Sequence, residues 1–110
     1  MITKQAPSYH ISIYCTGDKA AIYAAIQFVC DSVGLCVSIF SCDYLFTGGM
    51  ESGYEVRLIN YPRFPSTKEA IKAKAMQVVE AIFTVNPKGS LTMVDPWDSV
   101  FMSERECDYG

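Results

Sequence analysis

One histidine, His10, and no apolar stretch of membrane-spanning length are the scarcities that first bound this 110-residue sequence. A zinc site takes three or four protein ligands, and no C-x-x-C, H-x-x-x-H or Cys/His pair at ligand spacing is present, so neither a metal nor another cofactor is expected. The longest apolar run, Ala20 to Val29, is interrupted by Tyr23 and Gln27 and falls short of the roughly 18 to 20 residues that cross a bilayer. Residues Met1 to Pro7 carry a single lysine and no apolar core, so no secretory signal is expected. Basic side chains are also few. Nine against twelve acidic ones leave a formal charge of −3, the wrong sign for a protein whose affinity comes from neutralising phosphates. Neither nucleic acid nor a membrane is an expected partner.

The five cysteines are odd in number and scattered. Without a secretory signal, the expectation is reduced thiols in the cytoplasm, mostly serving as small buried hydrophobes. Half of the residues are apolar and 19% are charged, a balance that excludes disorder and fibrous repeats. The length suits one domain spanning residues 1–110, with 1–8 and 103–110 expected to fray.

Tyr9 to Cys15 alternates as a strand, with Ile11 and Ile13 on one face and His10, Ser12 and Tyr14 on the other. Asp18 is an N-cap candidate, and Ile22, Ala25, Ile26, Val29 and Val33 then share a helical stripe that Gly34 can terminate. Leu35 to Phe46 and Tyr54 to Tyr61 read as the arms of a hairpin around a Thr47–Gly53 turn, closed by Pro62 and Pro65. Ser66-Thr67-Lys68-Glu69 matches a capping box ahead of a second helix over Thr67 to Phe83, whose stripe is Ile71, Ala75, Val78, Val79 and Ile82. Ser90 to Val94 is a last strand stopped by Asp95-Pro96, and Ser99 to Met102 offers a short extra one. The order βαββαβ predicts an α+β, ferredoxin-like sandwich: a four-stranded antiparallel sheet in the order 4-1-3-2, with two helices on one face.

That arrangement leaves the other sheet face without cover of its own. Tyr14, Phe40, Tyr44, Arg57 and Ile59 fall there by alternation, an apolar surface large enough to bind something unless Trp97, Val100 and Phe101 fold back over it. The RNA-recognition module shares the element order, but the aromatic motif of its third strand is replaced by Tyr54 to Tyr61, with no glycine. Tyr61, Arg63 and Phe64, held between two prolines, combine the residue types favoured at binding hot spots.

Catalytic signals are sparse. His10 and Cys15 lie on opposite faces, roughly 16 Å apart at strand rise, and cannot act on each other. Thr16-Gly17-Asp18-Lys19 is no phosphate loop, since Asp18 would repel the anion. Asp43, Glu51 and Glu55 lie near the hairpin, with nothing that makes two of them converge. The expectation is therefore a non-enzymatic binding protein with no catalytic residue. It would self-associate and act as an accessory or inhibitory partner of another macromolecule through Tyr14, Phe40, Tyr44, Arg57, Ile59, Tyr61, Arg63 and Phe64. One alternative is a domain binding a small molecule or nucleotide between the sheet face and the 47–53 loop; a third class is an enzyme using Tyr, Asp or Glu chemistry near Arg57, its site assembled in space and not in sequence.

Overall fold

The computed structural model describes residues 1–105; Glu106 to Gly110, and with them Cys107 and most of the frayed end expected over 103–110, lie outside the described residues. The chain runs β1 (His10–Cys15), α1 (Lys19–Val33), β2 (Ser38–Phe46), β3 (Gly49–Ile59), α2 (Lys68–Val85), β4 (Ser90–Val94) and β5 (Ser99–Ser103). It is an α+β fold in which one antiparallel sheet has the order β2-β3-β1-β4-β5. The expected sheet of four strands is thus corrected to five. Asp95 makes the addition possible: its carboxylate accepts the backbone N–H groups of Trp97 and Asp98, both at 2.8 Å, and its own N–H bonds the Asp98 carbonyl. This tight turn returns the chain antiparallel along β4, so the tail extends the sheet edge and leaves the outer face uncovered. Trp97 instead stacks on Tyr9, with ring centroids 5.8 Å apart, and lies under the Lys68 ammonium.

The core sits between the inner sheet face and both helices. Ile11, Ile13, Val56, Leu58, Leu91 and Met93 from the strands meet Ile22, Ile26 and Val29 of α1 and Ile71, Ala75, Val78, Val79, Ile82 and Phe83 of α2. Alternation in the strands and three- or four-residue spacing in the helices put these side chains on facing surfaces. Asp18 caps α1 through the Ala21 N–H, and Gly34, at φ 70°, ends it. The α2 cap is corrected by one residue: Thr67, and not Ser66, accepts the Ala70 N–H at 3.1 Å. Ser66 is drawn away because its N–H bonds the Asn60 side chain. No helix among the described residues is long and apolar enough to cross a membrane.

The hairpin differs most from expectation. Only Thr47 and Gly48 form the turn, and Gly49 to Gly53 are strand, paired with Cys42 to Phe46. Glycine and serine lower strand propensity, but here Gly49 and Gly53 are wanted for space. A Cβ on Gly49 would strike the Phe46 ring, and one on Gly53 would strike the Tyr44 ring and come within 2.5 Å of the Cys15 carbonyl. Because β1 pairs with β3 only from Tyr54 onward, the remainder of the hairpin projects beyond the sheet as a two-stranded arm.

Candidate active site on the open sheet face

At the opposite end of the sheet from the hairpin turn, the outer face holds a concavity of about 650 Å³. Strands β1 and β3 form its floor with His10, Ser12, Tyr14, Arg57 and Ile59, and the entry and exit segments form its rim with Ala6, Ser8, Asn60 and Pro62. Asn60 builds that rim. Its amide donates to the Pro7 carbonyl at 2.9 Å, its carbonyl accepts the Ser66 N–H at 2.9 Å, and its backbone N–H bonds the Tyr9 carbonyl. One buried side chain therefore fixes the segment before β1 against the segment after β3.

From Ser12 and Arg57 of the floor a polar line runs to Glu55 beside it. The Ser12 hydroxyl donates to Glu55 Oε2 at 3.2 Å, Arg57 Nε donates to the same oxygen at 2.9 Å, and Arg57 Nη2 closes an ion pair with it. The guanidinium in turn lies 4.9 Å from the Phe40 ring centroid. Pairing registers explain the convergence: Ser12 is opposite Arg57, Tyr14 opposite Glu55, and Phe40 opposite Glu55 from the other side. Glu55 is consequently the centre of a three-strand cluster, its side chain only 17% exposed. A carboxylate bonded this way is oriented and partly neutralised.

Tyr14, Phe40, Arg57 and Ile59 of the expected binding set are thus brought together on this face. Tyr44 is not among them. Its ring lies over Gly53 on the arm, and its hydroxyl donates to the Tyr54 carbonyl at 2.6 Å and to the Cys15 carbonyl at 3.4 Å; burial, more than any neighbour, raises its pKa. Tyr61, Arg63 and Phe64 also lie elsewhere. Tyr61 accepts a weak bond from the Cys36 thiol at 3.5 Å, and Phe64 lines a separate hollow with Leu35, Ile71 and Lys74 while Arg63 covers its ring. The residues missed as site members are Glu55, Ser12 and Asn60. A carboxylate placed outward on a strand with neighbours on both sides, two positions from an arginine, was the available signal for Glu55.

The other carboxylates do not join it. Asp43 is on the helix side of the arm and accepts from Ser52, while Glu51 is four residues along β3 from Glu55, roughly 13 Å at strand rise. No three His, Cys, Asp or Glu side chains converge as a metal site among the described residues. The cysteines correct another expectation: among the described residues only Cys15 is buried, Cys30 and Cys42 are half-buried, and Cys36 is exposed.

No protein-family model matches the chain, and no curated protein does. Two solved structures do: a phage SAM lyase in complex with S-methyl-5'-thioadenosine, at TM-score 0.60 and 11% identity, and a phage SAM lyase in the apo state, at 0.57 and 10%. The first likeness covers 94% of this chain and 95% of that one, the second 94% and 96%. At such identity the resemblance is one of fold. The expectation of a non-enzymatic accessory or inhibitory partner is corrected by this likeness, since over 94% of its length the chain shares its fold with an enzyme. The alternative of a ligand under a 47–53 loop also falls, since those residues are mostly strand.

Proposed function

We propose that this chain is a lyase acting on S-adenosylmethionine or a close sulfonium relative, its ferredoxin-like frame extended by β5. The observation that carries the reading is the near end-to-end likeness to phage SAM lyase, on a chain whose uncovered sheet face holds a cluster suited to a small cationic substrate. To leave S-methyl-5'-thioadenosine, the bond between sulfur and the four-carbon side chain must break, and its electron pair must pass to sulfur. No water enters a lyase reaction, so the fragment's own carboxylate is the available nucleophile, closing a five-membered ring on the carbon that sulfur leaves.

The charge balance of that step fits the site. Substrate begins with a sulfonium and a carboxylate, and both charges vanish as the ring closes. Neutralisation of this kind is favoured where water is excluded and no fixed charge clings to the ground state. Glu55, already tied to Arg57 and Ser12, guides the cation without holding it as tightly as a lone carboxylate would. Phe40, Tyr14 and Ile59 supply apolar and aromatic surface for the purine and for desolvation, and Arg57 can orient the substrate carboxylate.

Incubation of the purified protein with S-adenosylmethionine, followed by mass spectrometry, is expected to show S-methyl-5'-thioadenosine growing with enzyme concentration. Glu55→Gln, which keeps the shape and removes the charge, is expected to reduce kcat/KM at least tenfold, about the effect of one charge-assisted hydrogen bond. Absence of that product above the no-enzyme rate would refute the reading.

A further inference from the structure

The arm's free edge carries a second inference, independent of the reaction. Strand β2 is a sheet edge, nine residues long, with no proline, no lysine and one charge, Asp43. Natural edges of that length are normally shortened, kinked or charged, because their unpaired N–H and C=O groups recruit another strand. Here the groups involved can be named. A two-residue turn makes Phe46 and Gly49 the closing hydrogen-bonded pair. By alternation Tyr44, Cys42 and Phe40 also aim their backbone groups at β3, which leaves those of Ile39, Ser41, Asp43 and Leu45 on the open side.

We propose that β2 pairs antiparallel with β2 of a second copy of this chain, about a two-fold axis at Cys42. That register makes Ser41 face Asp43 of the other copy and Ile39 face Leu45, so every outward backbone group finds its partner in a self-complementary ladder. The single acid of each edge meets a hydroxyl and not its own copy. On the outer side the register sets Phe40 opposite Tyr44.

Two surfaces that the monomer leaves unsatisfied also come together. Leu45 and Met50 are cross-strand neighbours on the helix side of the arm, 77% and 63% exposed, with no core beneath them. Beside the base of β2, a mostly apolar concavity of about 440 Å³ opens between α1 and the sheet, lined by Tyr23, Ile26, Leu35, Val37 and Ile39 together with Gln27 and two cysteines. Pairing Leu45 with Ile39 lays the arm tip of each copy over this hollow in the other. The arm's length past the sheet, the register and the apolar match all specify the same occupant, a second copy.

The test is a disulfide at the axis. Cys42 faces its own counterpart as a non-hydrogen-bonded pair, with Cα atoms roughly 4.5 Å apart, within disulfide reach. With copper-phenanthroline as oxidant, a chain retaining Cys42 and with its other cysteines replaced by alanine or serine is expected to give a covalent dimer, and Cys42→Ser none. Ser41→Pro removes an N–H from the open side only, so it is expected to leave the circular dichroism spectrum intact while light scattering shows monomer. Should that variant not fold, Leu45→Lys serves instead, with dimer affinity expected to fall at least tenfold. A wild-type chain that stays monomeric at high concentration overturns the proposal. So does an oligomer that forms without the Cys42 cross-link and resists both substitutions.

Discussion

The Tyr44 hydroxyl donates to the Tyr54 carbonyl at 2.6 Å, across the base of the arm and directly over Gly53. This bond locks the projecting hairpin to the sheet at the point where β1 ceases to support it. Tyr44→Phe keeps the ring and loses the bond, so it should cost about 1 kcal/mol in urea unfolding, with amide exchange accelerated over 43–52 first. An unchanged unfolding midpoint would mean that the ring alone holds the arm.

Gly53 makes room for that ring. Gly53→Ala forces a Cβ into the Tyr44 side chain and toward the Cys15 carbonyl, overpacking that should destabilise by about 1–3 kcal/mol. Pairing it with Tyr44→Ala should recover part of the loss, and a double-mutant cycle measures how much.

Asn60 satisfies groups from two other segments, and Asn60→Ala strands the Pro7 carbonyl and the Ser66 N–H together. The expected cost is about 1–3 kcal/mol. Limited proteolysis should show cleavage near residues 4–8 well before the core is cut; equal protection in wild type and variant would count against Asn60 as the clamp.

Cys15 ionises with difficulty, because burial foremost, and the nearby Cys42 next, push its thiol up to about 11 from the ordinary 9.0. A raised folded-state pKa contributes stability that is complete below the unfolded value and is lost as pH climbs through the folded one. The stability advantage of wild type over Cys15→Ala should therefore be flat to about pH 9 and decline between about pH 9 and 11, by on the order of 2 kcal/mol. A difference that rose across that window would have the wrong sign. Alkylation at neutral pH should mark the exposed Cys36 ahead of Cys15.

Much of the frame was legible from spacing. The alternation of Ile11 and Ile13, the stripe from Ile22 to Val29 and the stripe from Ile71 to Ile82 each specify one buried face, and the helix side of the sheet follows from them. The arm was not legible, because glycine and serine at 49, 52 and 53 oppose strand formation locally. What overrides them is the Tyr44 ring, ten residues away in sequence from its acceptor and visible only once the pairing exists. The fifth strand was half legible: Ser99 to Met102 reads as a strand, but only the Asp95 turn decides that it lies beside β4 and not across the face.

The site was harder for a different reason. Outward placement of Tyr14, Phe40, Arg57 and Ile59 follows from a period of two, but Glu55 becomes central only through the registers that set Tyr14 on one side and Phe40 on the other. Tyr44 illustrates the opposite error. Its outward parity suggested a free aromatic surface, whereas a phenol on a strand that outruns its neighbours folds down onto the backbone carbonyl where the β1–β3 ladder ends.

Strand β1 is made first yet lies in the middle of the sheet, between β3 and β4. During synthesis its apolar pair, Ile11 and Ile13, waits for residues 49–59 on one flank and for 90–94 on the other. The sheet can therefore close only after residue 94 has left the ribosome, and such long sequence separations slow folding. In the interval α1 is the one neighbour already complete, and its stripe of Ile22, Ile26 and Val29 shields the strand until the hairpin arrives.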